Sequence, residues 1–403
     1  MSARDVRPAQ ASPMAITPDW DGGSGWEDVR AYRLARLGDG LRRHHLDAVL
    51  YTKLDTIRYV ASFRPIYSMW FHGTRYAVLL TAGGQLTFFV ASGDMARVTT
   101  TMPWVPDPVP FPFVFADGVP LIAEAVRRLA LKGRIGVDLL PVGALRTLEK
   151  ALPEVAFVDG QEVIEDARRI KHPTEVAMLR AAAEVVDAGM HAAIAAVRPG
   201  ATEIEVSAAA ASAMMLAGSE DIPYYPLVAS GEHGWLGYRF PTSKSIRPGE
   251  MVRIDCGAAI INGYNGDIAR IAFPTPAHDE QRRIYRAVHG MLQAGLDRLR
   301  PGVQTTDVVE AAAAVARKWG YAEHTYFGIL GHGLGTDLHE APTIGEKVAG
   351  GRPPQRLEPG MVIALEPGVL LPGVGGGHLE DVALVTTGAP EILTKTPFLT
   401  EYL

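Results

Sequence analysis

Met251-Val252-Arg253-Ile254-Asp255-Cys256-Gly257-Ala258-Ala259-Ile260-Ile261-Asn262-Gly263-Tyr264-Asn265-Gly266-Asp267-Ile268-Ala269-Arg270-Ile271-Ala272-Phe273 is the stretch on which the reading of this chain turns. Met251–Gly257 and Ile268–Phe273 have the composition of strands, and Asn262-Gly263 between them is a strong hairpin signal, because both residues tolerate the positive φ of a tight turn. Register decides what such a hairpin is for. A strict two-residue Asn262-Gly263 loop pairs Asp255 with Arg270 and turns Asp267 to the opposite face. A three-residue loop of Ile261, Asn262 and a left-handed Gly263, or an equivalent bulge, shifts the pairing by one. Asp255 and Asp267 then lie on one face as diagonal neighbours, close enough to share a metal centre. The shifted register is the one expected.

Working outward, a matching pair lies downstream. Met361–Glu366 and Leu379–Val385 read as strands separated by a Gly-rich stretch with Pro372 and Gly375-Gly376-Gly377. Their even separation lets Glu366 and Glu380 face one side after an odd-length turn. Two hairpins thus deliver four carboxylates, which could not all stay ionised in a buried site without counter-charge. Two divalent cations cancel that charge. Gly331-His332-Gly333-Leu334-Gly335 offers an imidazole among small residues that let the backbone come close, and His339 follows seven positions later. Four carboxylates and one imidazole suit Mn²⁺, Fe²⁺, Co²⁺ or Zn²⁺. Two bridged ions would generate a hydroxide near neutral pH and polarise a carbonyl. Taken singly, each residue has an ordinary reading as an exposed carboxylate, a solvated histidine or a turn. The five together, in one order and spacing, argue for a site.

The rest of the chain bounds the answer. Its 403 residues, 47% hydrophobic and 21% charged, suit a folded protein of two domains. A net charge of −6 gives no basic field for a phosphate backbone, so nucleic acid is a poor partner. The single cysteine, Cys256, excludes an internal disulfide framework and fits a reducing compartment. Met1–Trp20 lacks the apolar core of a signal peptide, and no window reaches the ~18 apolar residues of a membrane span. The expectation is a soluble, cytoplasmic protein. Residues 1–24 read as a loose tail. From Trp26, Leu34, Leu37 and Leu41 mark one helical face, and strand-length runs at Ala48–Tyr51, Tyr76–Thr81, Leu86–Val90 and Ile135–Val137 alternate with helices such as Leu121–Leu131. That alternation predicts an α/β domain over residues 25–165. His172-Pro173-Thr174-Glu175 then opens a helix that must stop at Arg198-Pro199-Gly200, beginning a second domain over residues 166–403. Arg198-Pro199-Gly200 with Thr202, Glu205 and an alanine run recurs as Arg300-Pro301-Gly302 with Thr305, Asp307 and another. If this is a true repeat, the second domain is two similar halves with room for a site between them.

With these residues in view, the chain resembles the creatinase/prolidase/methionine aminopeptidase superfamily, the M24 metallopeptidases. The resemblance rests on Asp255-Cys256-Gly257-Ala258, Gly263 to Arg270, Gly331-His332-Gly333 with His339, Pro359-Gly360-Met361 leading to Glu366-Pro367-Gly368, and Glu380-Asp381. Arg169-Ile170-Lys171 with Glu175 looks like that domain's opening. The resemblance implies a creatinase-type N-terminal α/β domain before an α+β "pita-bread" catalytic domain with pseudo-twofold halves, usually in a homodimer. It implies that Asp255 and Glu366 each bind one metal, that Asp267 and Glu380 bridge, and that His332 completes a dinuclear centre, with manganese the first choice. Glu366 would handle the proton of a bridging hydroxide, and His339 would contact the substrate carbonyl. Cys256 reads as strand filler.

The substrate-reading shell departs from the proline-directed peptidases. Tyr238 stands where they carry a histidine near the scissile nitrogen, with His233 five residues earlier out of step. Gly328 replaces another histidine, and His378 replaces an arginine two residues before the final glutamate. Trp235 and Arg239 flank Tyr238 and complete the candidate substrate residues. Creatinase itself has lost metal ligands, and the dimethylsulfoniopropionate lyases add an Asp where this chain has Gly257, so neither fits well. The leading expectation is a metal-dependent hydrolase of a C–N amide bond in a small peptide, resembling Xaa-Pro dipeptidases and aminopeptidases. The alternative is a small-molecule specialist, an amidase or lyase, in which Tyr59, Phe63, Tyr67, Trp70, Phe71 and Trp235 would box a cationic group; the competing reading of those aromatics is core or dimer-interface packing. A non-catalytic binding module is the third class, disfavoured because all five ligands are present.

Overall fold

Val49 and Tyr51 turn to one side of their strand and Ala48 and Leu50 to the other, and all four are fully buried. A strand buried on both faces must lie at the centre of a layered domain. A computed structural model describes residues 26–64, 75–222, 225–237, 239–257, 259–261, 263–345 and 353–403. In it, strands β1 (Ala48–Tyr51), β2 (Ala77–Thr81), β3 (Leu86–Ala91), β4 (Val109–Phe111), β5 (Gly133–Val137) and β6 (Val155–Asp159) form one mixed sheet of order β4-β3-β2-β1-β5-β6. One face packs against α1 (Trp26–Arg43), α2 (Leu54–Ala61), α3 (Met95–Thr101) and α6 (Gln161–Arg169), through Leu37, Leu41, Ile57, Val98 and Ile164. The other packs on α4 (Phe115–Arg128) and α5 (Val142–Ala151), through Ile122, Val126 and Leu148. Each such side chain contributes about 1.5–3 kcal/mol of transfer free energy. Tyr59 and Phe63 belong to this core, which removes them from any aromatic box; Tyr67, Trp70 and Phe71 lie outside the described residues, as do residues 1–24.

The second domain is built twice over. Helix α7 (Pro173–Ala196), opened by a capping box between His172 and Glu175, breaks at a left-handed Gly200 (φ 86°) and returns as α8 (Glu203–Leu216). Helix α9 (Asp279–Leu296) breaks at Gly302 (φ 83°) and returns as α10 (Thr305–Trp319). The chain just after each break makes the same kind of isolated bridge, Thr202 to Ser245 and Gln304 to Arg356. The repeat suspected from Arg198-Pro199-Gly200 and Arg300-Pro301-Gly302 is therefore a repeat of structure. In the first half, α7 and α8 cover the sheet β11-β8-β7, made of β7 (Leu227–Ser230), β8 (Val252–Asp255) and β11 (Ala269–Ala272). In the second, α9 and α10 cover the sheet β13-β12-β14-β17-β18, made of β12 (Gly331–Gly333), β13 (Glu340–Ile344), β14 (Val362–Leu365), β17 (Asp381–Leu384) and β18 (Glu391–Ile392). Two short ribbons extend the central strands: β9 (Ala259–Ile261) with β10 (Tyr264–Gly266), and β15 (Gly368–Leu371) with β16 (Gly375–His378).

The first hairpin adopts the shifted register, by the bulge rather than by a three-residue loop. At its tip Ile261 faces Tyr264 across Asn262-Gly263, with Gly263 left-handed at φ 86°. Nearer the core Asp255 faces Ala269. Between Asp255 and Ala259 the chain has one residue more than between Gly266 and Ala269, a bulge that brings Asp255 and Asp267 to one face. The second hairpin needs no such correction. One unbroken register runs from Val362 opposite Leu384 to Leu371 opposite Gly375, so its turn is the odd-length Pro372-Gly373-Val374. Glu366 and Glu380 fall directly opposite one another within it. No helix among the described residues is long and apolar enough to cross a membrane.

Candidate metal centre

The two hairpins meet edge to edge. Glu380 donates its backbone N–H to the Ala269 carbonyl at 3.0 Å, and the same two residues form an isolated bridge. Asp255, Ala269, Glu380 and Glu366 therefore follow one another across neighbouring strands in a single row, with Asp267 two positions from Ala269. Arg270 fastens the joint from behind, donating to the Glu380 carbonyl at 2.6 Å and to Asp381 at 2.8 Å. The row gathers carboxylates from distant segments of the chain at one point.

Asp255, Asp267, Glu380 and His332 are all buried, with Glu380 only 1% exposed. His332 sits on β12, and its Nε2 is 3.6 Å from Glu366 and 3.8 Å from Asp267. The Nδ1 of His332 lies 3.0 Å from the Gly333 carbonyl, which can only accept. That contact fixes the tautomer with the proton on Nδ1 and leaves the Nε2 lone pair aimed at the carboxylates, as metal-binding imidazoles require. Burial first, then the neighbouring His339, pushes His332 down to about 3, so the ring stays neutral. Burial, reinforced by Asp255 and Glu366, raises the Asp267 carboxyl well above its usual range. Glu380 is raised in the same way by burial and then by Asp267, Glu366 and Asp255. Burial, then Asp255, Asp267 and Glu380, raise the Cys256 thiol well above its ordinary value, which keeps it protonated and unsuited to metal binding or attack.

These residues fit a pair of divalent cations. Among the described residues, His332 Nε2 and Glu380 Oε1 are buried without a hydrogen-bond partner, a costly state that coordination would relieve. Two ligands each about 2.1 Å from one ion stand about 3.0–4.2 Å apart. The separations of 3.6 and 3.8 Å lie within that window. Asp267, His332 and His339 form one group whose ligand atoms lie within 4.8 Å of one another, and Asp255, His378 and Glu380 form another. His339 is the exposed member, its ring 3.9 Å from that of His332 at 48°, so it faces incoming molecules.

The loop that carries His339, residues 334–339, is held from two sides. Within the second domain, Asn265 donates both its backbone N–H and its side-chain amide to the Gly335 carbonyl at 3.0 Å. From the N-terminal side, Lys53 pairs with Asp337, and Arg168 spans Asp55 (2.6 Å), Asp337 (3.1 Å) and Glu340 (3.2 Å). Lys171 adds a second cation to Glu340 at 2.6 Å. Arg33, on α1, pairs with Glu175 at 3.0 Å, and Tyr264 donates to the same carboxylate at 2.7 Å. This clamp was not legible beforehand. Its only signal was a cluster of cations at Arg168-Arg169-Ile170-Lys171, which reads equally well as a solvated helix end.

The candidate substrate residues are less well gathered. His233 points Nδ1 at Glu203, 3.0 Å from each carboxylate oxygen, and that glutamate also accepts from Ser230 and Thr242. Trp235 lies in a half-buried 3₁₀ turn, and Arg239 makes no hydrogen bond or ion pair among the described residues. Tyr238 lies outside them. His378 is brought fully into the cluster, its Nε2 3.5 Å from Asp255. Gly328 carries a change that sequence reading missed. A side chain there would meet the Tyr326 ring at 2.3 Å, so an exposed tyrosine covers the place of the absent histidine.

Known proteins resemble the chain over nearly its whole length. The model of metallopeptidase family M24 matches residues 177–387, and that of the Creatinase/Prolidase N-terminal domain matches residues 33–170. An Xaa-Pro dipeptidase of Pyrococcus horikoshii is 27% identical over 372 residues, 92% of this chain and 98% of that protein. One of Lactobacillus helveticus is 30% identical over 284 residues, 68% of this chain and 74% of that protein. Among solved structures, an Xaa-Pro dipeptidase from Bacillus anthracis superimposes with a TM-score of 0.80 at 27% identity, covering 92% of this chain and 98% of its own.

Proposed function

The chain belongs to metallopeptidase family M24, and from that premise we propose that it hydrolyses Xaa-Pro dipeptides or short peptides beginning Xaa-Pro. The observation that carries the reading is the row Asp255–Ala269–Glu380–Glu366, which holds three carboxylates, with Asp267 two positions from Ala269 and His332 Nε2 within 3.8 Å of Asp267 and Glu366; together they support a site of four carboxylates and one imidazole. In this reading Asp255, Asp267, Glu366, Glu380 and His332, the last through Nε2, would hold the ions. Divalent ions bound there, with manganese the first choice, would supply a nucleophilic water at neutral pH and polarise the scissile carbonyl. Glu366 is the least buried of the four carboxylates, its side chain 13% exposed, which suits it to take a proton from the attacking water and pass it to the leaving nitrogen. His339, exposed beside His332, would donate to the carbonyl oxygen as negative charge develops. The buried environment strengthens each of these interactions relative to water. The single, buried cysteine supports a cytoplasmic setting. A homodimer is part of the same reading, checked by light scattering.

The test is turnover by the Mn²⁺-loaded protein, followed by mass spectrometry, of Xaa-Pro dipeptides, an Xaa-Pro tripeptide, creatine, ectoine and dimethylsulfoniopropionate. Cleavage of the proline peptides is expected, with dipeptide favoured over tripeptide if the enzyme is a dipeptidase. Silence on every peptide with both metals bound, or turnover of a small metabolite alone, would sink the peptidase assignment.

A further inference from the structure

We propose that His378 is itself a metal ligand, forming with Asp255 and Glu380 a second imidazole-bearing site opposite the one that His332 makes with Glu366 and Asp267. The proposal rests on the reading above that the cluster holds two divalent ions.

Four observations carry it. The ring is 4% exposed, so it is committed to the protein interior rather than to solvent or a passing substrate. Its Nε2 stands 3.5 Å from Asp255 Oδ2, beyond the about 2.7–3.2 Å of a good N–H···O bond but suited to two ligands of one ion. The His332 ring holds nearly the same separations, 3.6 and 3.8 Å, from its own carboxylates. Finally, the fold leaves room for the residue: His378 faces Gly368 across β15 and β16, and any side chain at Gly368 would put its Cβ 2.8 Å from that of His378.

The chemistry of the pair follows. Each ion would have one neutral imidazole, and the four carboxylates would balance the four positive charges of the two ions. Imidazole favours cobalt, iron and zinc over manganese relative to an all-oxygen site. The second site should therefore resemble the first in its preference rather than bind manganese loosely through oxygen alone.

Cobalt-loaded protein provides the test, read by equilibrium dialysis with metal counting and by X-ray absorption at the cobalt edge. The wild-type chain should bind two cobalt ions with an average of one imidazole per ion. His378→Gln should weaken one of the two equivalents tenfold or more and, with enough cobalt present to fill both, halve the imidazole count per ion, and His332→Gln should do the same to the other equivalent. His378→Asp should restore the second equivalent, because a carboxylate coordinates a cation yet would repel Asp255 if no cation lay between them. Two equivalents bound within twofold of wild type in His378→Gln, with the imidazole count unchanged, would overturn the proposal and leave His378 as a partner that orients Asp255. A wild-type chain binding fewer than two cobalt ions would overturn the dinuclear reading itself, and this proposal with it.

Discussion

The two hairpins of the catalytic domain present their carboxylates by different routes. The aspartate hairpin ends in a two-residue turn that would put Asp255 and Asp267 on opposite faces, and a one-residue bulge corrects the register. The glutamate hairpin runs in one register over its whole length and sets Glu366 directly across from Glu380. Repeated scaffolds therefore do not require repeated ligand geometry. What the halves share is the helix, the left-handed glycine and the returning helix. What they tune separately is the last two residues of approach to the site. The N-terminal domain holds both halves but at different places: Arg33 reaches Glu175 and Arg58 reaches Glu220 in the first, while Lys53 and Arg168 reach Asp337, beside His339, in the second.

The sharpest way to break this comparison is to remove one bridging carboxylate from each hairpin. Asp267→Asn and Glu380→Gln should each reduce turnover at least about a thousandfold and lower bound metal below one ion per chain, as expected of ligands shared by both ions. If one variant keeps two ions while the other keeps none, the hairpins are not equivalent partners in a bridged pair. Next in size is the clamp. Arg168→Gln leaves buried carboxylates without their cation and should cost about 3–5 kcal/mol of stability by urea unfolding, with metal content retained. A loss under 1 kcal/mol would show that the N-terminal domain merely rests on the second half. His339→Ala should leave stability and metal content untouched and cut kcat about a hundred- to a thousandfold, the usual effect of removing one oxyanion donor; unchanged kcat would withdraw His339 from the chemistry.

The smallest effect is a reversal of slope with pH. In the metal-free chain Asp267 and Glu380 hold protons in the fold at pH values where the unfolded chain, with carboxyl groups near about 4, has lost them. Their contribution is full at low pH and is lost as pH rises. His332, pushed down to about 3, acts in the opposite sense between there and its unfolded value, as one group against two. Metal-free protein should lose stability between pH 5 and 7, by about 1.4 kcal/mol per unit for each uncompensated proton. The loaded protein should gain over the same range, because protons and ions compete for the same ligands. Urea midpoints measured with and without chelator would decide it, and parallel slopes would argue against a carboxylate-held metal pair.

Within each hairpin the site was legible because pairing across a short turn is a local problem. Asn262-Gly263 and the odd-length turn at Pro372-Gly373-Val374 each fix a register from a handful of residues. The bridge between Ala269 and Glu380 was not legible, since nothing near either residue announces a partner more than about a hundred positions away. Arg168 and Asp337, 169 residues apart, were hidden for the same reason. In the N-terminal domain the central strands were readable from their unbroken apolar runs, while β4 and β6 were missed. Both are edge strands; β4 carries Pro110, which only an edge tolerates, and β6 is only partly buried. The burial of His378 was not legible either, because its spacing to Glu380 says nothing about how deeply its ring lies.

The bridge at Ala269 and Glu380 also sets an order of events. A growing chain completes the aspartate hairpin long before Glu366 and Glu380 have been made, and half of the row offers two carboxylates with no imidazole beside them. Until the second hairpin docks there is nothing to hold an ion pair and nothing to cleave with. The molecule therefore has no weakly active precursor: a nascent or truncated chain that stops short of Glu380 should be inert toward the peptides around it.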